Sequence, residues 1–140
     1  MSKAYFNTAM AYFRGKYDAN VIFIVASDDI GWSRNVFRKE ANVVYTRTSS
    51  DGAQMKTYTD FAILANCNHS IISHGMFGFW SAYLRPRPGG ITLFVNNSYQ
   101  YNTYKMDSNW IEWNDPCIYK KPNGQKWQFK SPDENKDCWK

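Results

Sequence analysis

"FAILANCNHSIISHGMFGFWSAYL", residues 61–84, runs for 24 positions without a Lys, Arg, Asp or Glu. A stretch like this is either a membrane span or the interior of a folded domain. Asn66, Asn68, His69, Ser70, Ser73 and His74 exclude the span, because lipid would leave their polar groups unsatisfied. Read in pieces, the stretch becomes regular. Residues 58–67 predict a helix opened by Thr59 or Asp60, and "HSIIS", 69–73, a buried strand. "HGMF" is a turn and "FGFWSAYL", 77–84, a helix, stopped by the prolines and glycines of "RPRPGG".

Upstream, the same alternation recurs. Residues 4–16 predict an amphipathic helix, with Phe6, Met10, Phe13 and Tyr17 on one line. "VIFIVA", 21–26, is a short apolar run rich in β-branched residues, as in a strand covered on both faces. "SDDIGWSRNVFRK" opens with a capping residue and continues at helical spacing. "NVVYT", 42–46, predicts a second strand, residues 47–57 a polar surface loop, and "ITLFV", 91–95, a fourth strand. Helix and strand alternating through short connections imply a Rossmann-like α/β fold: a parallel sheet with helices on both faces. The domain reading is one such unit over 1–96. An irregular, aromatic and polar tail follows over 97–140, where periodicity fades between Pro116, Pro122 and Pro132.

Composition agrees with a single core-forming unit. The chain has 140 residues, 44% hydrophobic and 18% aromatic, with net charge +5. The basic residues are scattered, so no nucleic-acid face is expected, while anionic small molecules suit the charge. Cys67, Cys117 and Cys138 lack CxxC spacing, which argues against a metal or redox motif. Cys67 reads as a free thiol in an apolar segment, and Cys117 and Cys138 could pair in an oxidising compartment. The N-terminal residues have no apolar run of signal-peptide type.

Ligands of open parallel sheets bind beyond the carboxyl ends of the strands. Two ends carry suitable chemistry. After 69–73, Ser73, His74 and Gly75 lead into a helix whose first N–H groups attract a phosphate. Gly78 permits close helix–sheet packing. After 21–26, Ser27, Asp28 and Asp29 form the acidic end, suited to ribose hydroxyls, to acid–base work, or only to a helix cap. Asp60 is read as a cap or a ligand contact, and His69 as a hydrogen-bonded structural histidine. Trp32 and Trp80 are expected in the core. Asn68 and Asn96 begin glycosylation sequons. The second, at a strand end, is the more accessible.

"DFAILANCNHSIISHGMFGFWSAYL", 60–84, closely resembles the C-terminal signature of the α-1,2-fucosyltransferases, glycosyltransferase family 11. That signature runs Asp, an apolar helix, Cys-x-His, an apolar strand, then Gly-Thr-Phe-Gly-x-Trp-x-Ala-Tyr-Leu. "FIVASDDIGWSRNVF" and "AYFNTAMAYFRGKY" resemble the preceding segments, so the likeness covers residues 4–95. It implies the C-terminal half of a two-domain, GT-B-like enzyme. Such an enzyme moves fucose from GDP-L-fucose to the 2-hydroxyl of a terminal β-galactoside, with inversion and without an obligatory metal or other cofactor. It implies a Golgi protein anchored through an N-terminal part not in these residues, so the chain reads as a truncated portion. By the same resemblance Asp60 meets the guanine, and the turn Ser73, His74, Gly75, Met76, Phe77, Gly78 cradles the pyrophosphate. Ser27, Asp28 and Asp29 lie beside the nucleotide, the two acids being the candidates for catalysis.

Two departures stand out. Met76 replaces the signature's threonine and removes a hydroxyl. The family's upstream His-x-Arg-Arg-x-Asp motif has no counterpart, since the chain contains no Arg-Arg pair. The alternative reading is a non-catalytic sugar-nucleotide-binding or interaction module.

Overall fold

The computed structural model describes residues 1–18, 20–46, 53–95, 106, 108–113, 118–119 and 128–129. Helix α1 spans Lys3–Tyr17 and opens on Ser2, whose hydroxyl accepts the Tyr5 N–H at 3.1 Å. That cap satisfies one of the orphan donors of the first turn. The buried face is Tyr5, Ala9, Met10 and Phe13, one step round from the predicted line. Phe6 is half-buried, and Tyr17, expected inward, is 40% exposed and stacks on Phe13 and His69 instead. Small Ala9 lets the helix sit close to the sheet, and that selects the Tyr5–Phe13 face.

The strands β1 (Phe23–Val25) and β2 (Val43–Tyr45) pair in parallel, Phe23 opposite Val43. β3 (Ser70–Ile71), β4 (Thr92–Phe94) and β5 (Trp110–Glu112) form a second parallel sheet in that order. Between them run α2 (Ile30–Val36), α3 (Ala53–Ala65) and α4 (Met76–Tyr83). A separate antiparallel pair, β6 (Ile118–Tyr119) with β7 (Gln128–Phe129), lies further along. The expected α/β architecture with a parallel sheet is present. The strands are shorter than their apolar runs, although flanking residues still bond across, as where the Ile72 N–H meets the Leu93 carbonyl and the Thr46 N–H the Val25 carbonyl.

Side-chain alternation shows which helix covers which face. A strand turns successive residues to opposite sides. Ile91 and Leu93 pack with Ala9 and Phe13 of α1, joined by Ile71 and Ile111. Phe94 and Ile72, one residue out of step, pack with Phe79 and Ala82 of α4, joined by Trp110. Helix α1 therefore covers one face of the β3–β4–β5 sheet and α4 the other. A third cluster, Met10 with Val36 and Phe37, brings in Phe23, Val25 and Val43 and joins the two sheets through side chains.

Three expectations change. Residues 53–57, read as loop, are the first turns of α3. Ala, Gln, Met and Lys there are strong helix formers, and their polarity had masked the helix. Trp32 is 44% exposed rather than core. Helix α2 buries Ser33 and Val36, which leaves Trp32 beside the buried line, edge-on to Phe6. Trp80 does pack against the α4 core cluster, as expected. The stretch after Asn96 is not uniformly irregular, since β5 extends the sheet from within it.

Candidate functional site

Helix α1 shows how the strand ends are arranged. At its start, the Tyr5 hydroxyl donates to the Ile72 carbonyl at 2.8 Å, just past β3. Phe6 meets Trp32 and Phe37, beyond β1. At its other end, Tyr17 stacks on His69 at 4.6 Å, just before β3, and Arg14 lies over the Phe23 ring at the start of β1. One helix thus runs antiparallel to β1 and β3 together. Their carboxyl ends share one edge of the molecule, and both candidate turns stand on it.

In the first turn, the Asp29 carboxylate caps α2 by accepting the Trp32 N–H at 2.8 Å. Its own N–H donates to Ser27 Oγ and to Asp28 Oδ1, both at 3.1 Å. Both aspartates are exposed; Asp29 is fixed by the helix it starts, whereas among the described residues Asp28 makes only the bond to the Asp29 N–H. Ser27 braces the backbone of the turn.

In the second turn, Ser73, His74 and Gly75 are exposed. Gly75 is the residue before α4 and takes φ 93°, ψ 167°, a conformation open in practice to glycine alone. Gly75 has no side chain with which to cap α4, and the first-turn N–H groups lie at the positive end of the helix dipole. Gly78 has a different task. A Cβ on it would lie 3.3 Å from the Ile72 side chain, so its absence lets α4 settle against β3. Met76, standing for the signature's threonine, turns inward and packs on the Ile72–Phe79 cluster. Phe77 is 40% exposed and meets Phe61 of α3 edge-on at 5.5 Å.

Asp60 lies within α3, not at its start, so it is no cap. It is 5% exposed. A carboxylate that deep is kept only with partners or a task, because burying the charge alone is costly.

His69 sits at the opposite edge. Its Nδ1 accepts the Ile91 N–H at 3.0 Å, which puts the ring proton on Nε2. Burial first, then the charges of Arg85 and Lys16, hold its pKa below the ordinary value. It is the structural histidine expected. Cys67 is half-buried and free, its thiol 3.4 Å from the Ile63 carbonyl, and burial raises its pKa. Asn68 is exposed. Asn96, Cys117 and Cys138 lie outside the described residues. Among the described residues no cluster of His, Cys, Asp or Glu could hold a metal ion, and no helix is long and apolar enough to cross a membrane.

A parallel sheet with two strand-to-helix turns on one carboxyl edge places the chain in the Rossmann-like class. Comparison with known proteins narrows this. The model of Glycosyl transferase family 11 matches residues 2–116, and the chain belongs to that family. The match runs beyond the segment where the resemblance is visible by eye and takes in β5. Galactoside alpha-(1,2)-fucosyltransferase 1 of Saimiri sciureus is 39% identical over 97 residues, 69% of this chain and 25% of that protein. The Sus scrofa protein of the same name is 40% identical over 95 residues, 67% of this chain and 24% of its own. The chain thus spans about a quarter of the length of the curated relatives it matches. No solved structure matches.

Proposed function

We propose that this chain is the donor-binding portion of an α-1,2-fucosyltransferase, holding GDP-L-fucose for transfer to the 2-hydroxyl of a terminal β-galactoside with inversion. The observation that carries the reading is the Gly75 turn. A glycine-only backbone there leads into a helix with no side-chain cap at Gly75, inside the segment most like the family's signature. In this reading the pyrophosphate rests on the first turn of α4, flanked by Ser73 and His74. The guanine reaches Asp60, whose carboxylate is matched to a purine edge with two adjacent N–H donors. Asp28, free of the capping duty of Asp29, is the better placed of the two acids to meet ribose or acceptor hydroxyls. Met76 offers no hydroxyl to phosphate, and donor affinity falls accordingly, by about 1.5–3 kcal/mol for one lost hydrogen bond to a charged group. By resemblance the family's His-x-Arg-Arg-x-Asp motif supplies a phosphate-binding arginine and acid–base groups, and these residues contain no Arg-Arg pair. The Golgi membrane is the setting that fits the relatives.

Thermal-shift titration with GDP, ADP and UDP tests the donor reading. GDP raises the melting temperature most, and Asp60→Asn, which keeps the size of the side chain, removes the preference. Equal responses to all three nucleotides overturn guanine reading by Asp60. The absence of an Arg-Arg pair from these residues motivates a second reading, a non-catalytic sugar-nucleotide-binding or interaction module. Incubation with GDP-fucose and lactose decides between them: 2'-fucosyllactose formed by the 140 residues alone refutes the non-catalytic reading.

A further inference from the structure

A cavity of about 280 Å³ opens at the far end of α4, lined by Tyr83, Arg85, Arg87, Gly90 and Trp110 among others. We propose that it is a second binding site, taking a sugar that carries a carboxylate or sulfate group. It is not part of the nucleotide site. Six residues of α4, Met76 to Ser81, lie between Gly75 and Ala82, the first residue of the cavity wall, which at about 1.5 Å per residue is on the order of 10 Å along the helix. Arg85 and Arg87 also lie past Leu84, where the family signature ends.

The arginines supply the anion chemistry. Arg85 Nη2 donates to Ser70 Oγ at 2.6 Å and to Thr92 Oγ1 at 3.2 Å, so its guanidinium is fixed in the wall before any ligand arrives. Gly90 makes this placement possible, since a Cβ there would run into that guanidinium and the Asn68 carbonyl. The loop is pinned again where the Ile91 N–H meets His69, and Gly89 turns it with φ 82°. A rim held at both ends loses little freedom on binding. Arg87 is exposed and lines the same cavity, a second guanidinium of the kind that suits planar or tetrahedral oxyanions.

The aromatic groups supply the sugar chemistry. Tyr83 is 44% exposed, and Trp110 is only part-buried, seated on Phe79 and Phe94. Rigid aromatic faces beside a fixed charge suit a pyranose with its C–H face against the ring and its acid group toward the arginines. The volume is near the lower limit of small-molecule pockets, about 300 Å³, which fits one monosaccharide.

The test is a titration of the ¹⁵N-labelled 140-residue chain at low salt with four probes: methyl β-glucuronide, galactose 6-sulfate, inorganic sulfate and methyl β-galactoside. Both acidic sugars shift the Gly89 and Gly90 amides and the Trp110 indole N–H. The neutral galactoside does not, and sulfate alone binds more weakly than either acidic sugar. Arg87→Gln weakens the acidic sugars roughly tenfold, as loss of one charge-assisted contact does, and Arg87→Lys weakens them less. Arg87 is exposed, so these variants fold. Absence of shifts at these groups overturns the site, as does unchanged binding by Arg87→Gln. Equal binding of the neutral galactoside refutes the oxyanion requirement, and sulfate binding as tightly as the sugars refutes the saccharide.

Discussion

Tyr5→Phe isolates one hydroxyl whose position bears on the whole site. The Tyr5 ring is fully buried, and its O–H donates to the Ile72 carbonyl at 2.8 Å and approaches the Leu93 carbonyl at 3.3 Å. Phenylalanine keeps the ring and its packing, so the change removes hydrogen bonding without opening a cavity. The Leu93 carbonyl still accepts the Ile72 N–H at 2.9 Å, so most of the loss falls on Ile72. A typical bond is worth about 1 kcal/mol net, and stripping a donor from a buried carbonyl raises the cost to about 1–3 kcal/mol. With a urea slope of roughly 1–3 kcal/mol per molar for a small domain, the midpoint falls by about 1 M. Urea unfolding followed by far-UV circular dichroism measures it. A midpoint within about 0.2 M of the parent would show that this bond contributes almost nothing. The claim that α1 clamps the end of β3 beneath the Ser73 turn would then be wrong. Nucleotide affinity should fall with stability, because Ile72 directly precedes that turn.

Other outcomes follow from named groups. Gly75→Ala costs about 1–3 kcal/mol in urea unfolding, all of it backbone strain, because a Cβ there would meet nothing within 4 Å; an unchanged midpoint would mean the turn does not need the positive φ. Asp29→Ala costs about 1 kcal/mol by unseating the α2 cap, whereas Asp28→Ala costs less, because the Asp29 N–H keeps its bond to Ser27 Oγ, and acts mainly on ligand binding. His69 makes folding sensitive to acid. Its folded pKa lies below the reference value of 6.5, so the unfolded chain takes up the proton first. Stability from this group is complete above that reference and is lost as pH falls through the lower folded value. Unfolding midpoints measured between pH 7.5 and pH 5 should fall in the parent and fall less in His69→Gln, about this one group.

How much could be seen in advance depended on run length. The stretch from Phe61 to Leu84 declared its helix, strand and helix because each piece is long enough to show a period. β5 did not, because Trp110, Ile111 and Glu112 are three residues with one inward position on each face. The two candidate turns were legible, because an apolar run that breaks directly into glycine or paired acids marks the carboxyl end of a strand. Asp60 was placed at a helix start because residues 53–57 read as polar loop, and the earlier beginning of α3 makes it a buried mid-helix carboxylate. Nothing local marked Tyr5 as the clamp. Its partners are 67 and 88 residues away, and an adjacent phenylalanine offered an equally good apolar line. The Arg85 cavity was invisible for the same reason, since "RPRPGG" announces only a stop.

The two parallel sheets have a mechanical consequence. β1–β2 and β3–β4–β5 are separate ladders, bridged by the side chains of Met10, Phe23 and Ile71 rather than by strand pairing. A ladder is stiff in shear, because sliding breaks several aligned bonds at once, while an apolar seam yields by rotamer changes. The Asp29 turn rides on one ladder and the Gly75 turn on the other. The spacing between the acids and the anion cradle is therefore set by an apolar seam beneath a single helix, in which Met10, Phe23 and Ile71 take part. Substituting Met10 by a stiffer residue would retune that spacing without touching either turn.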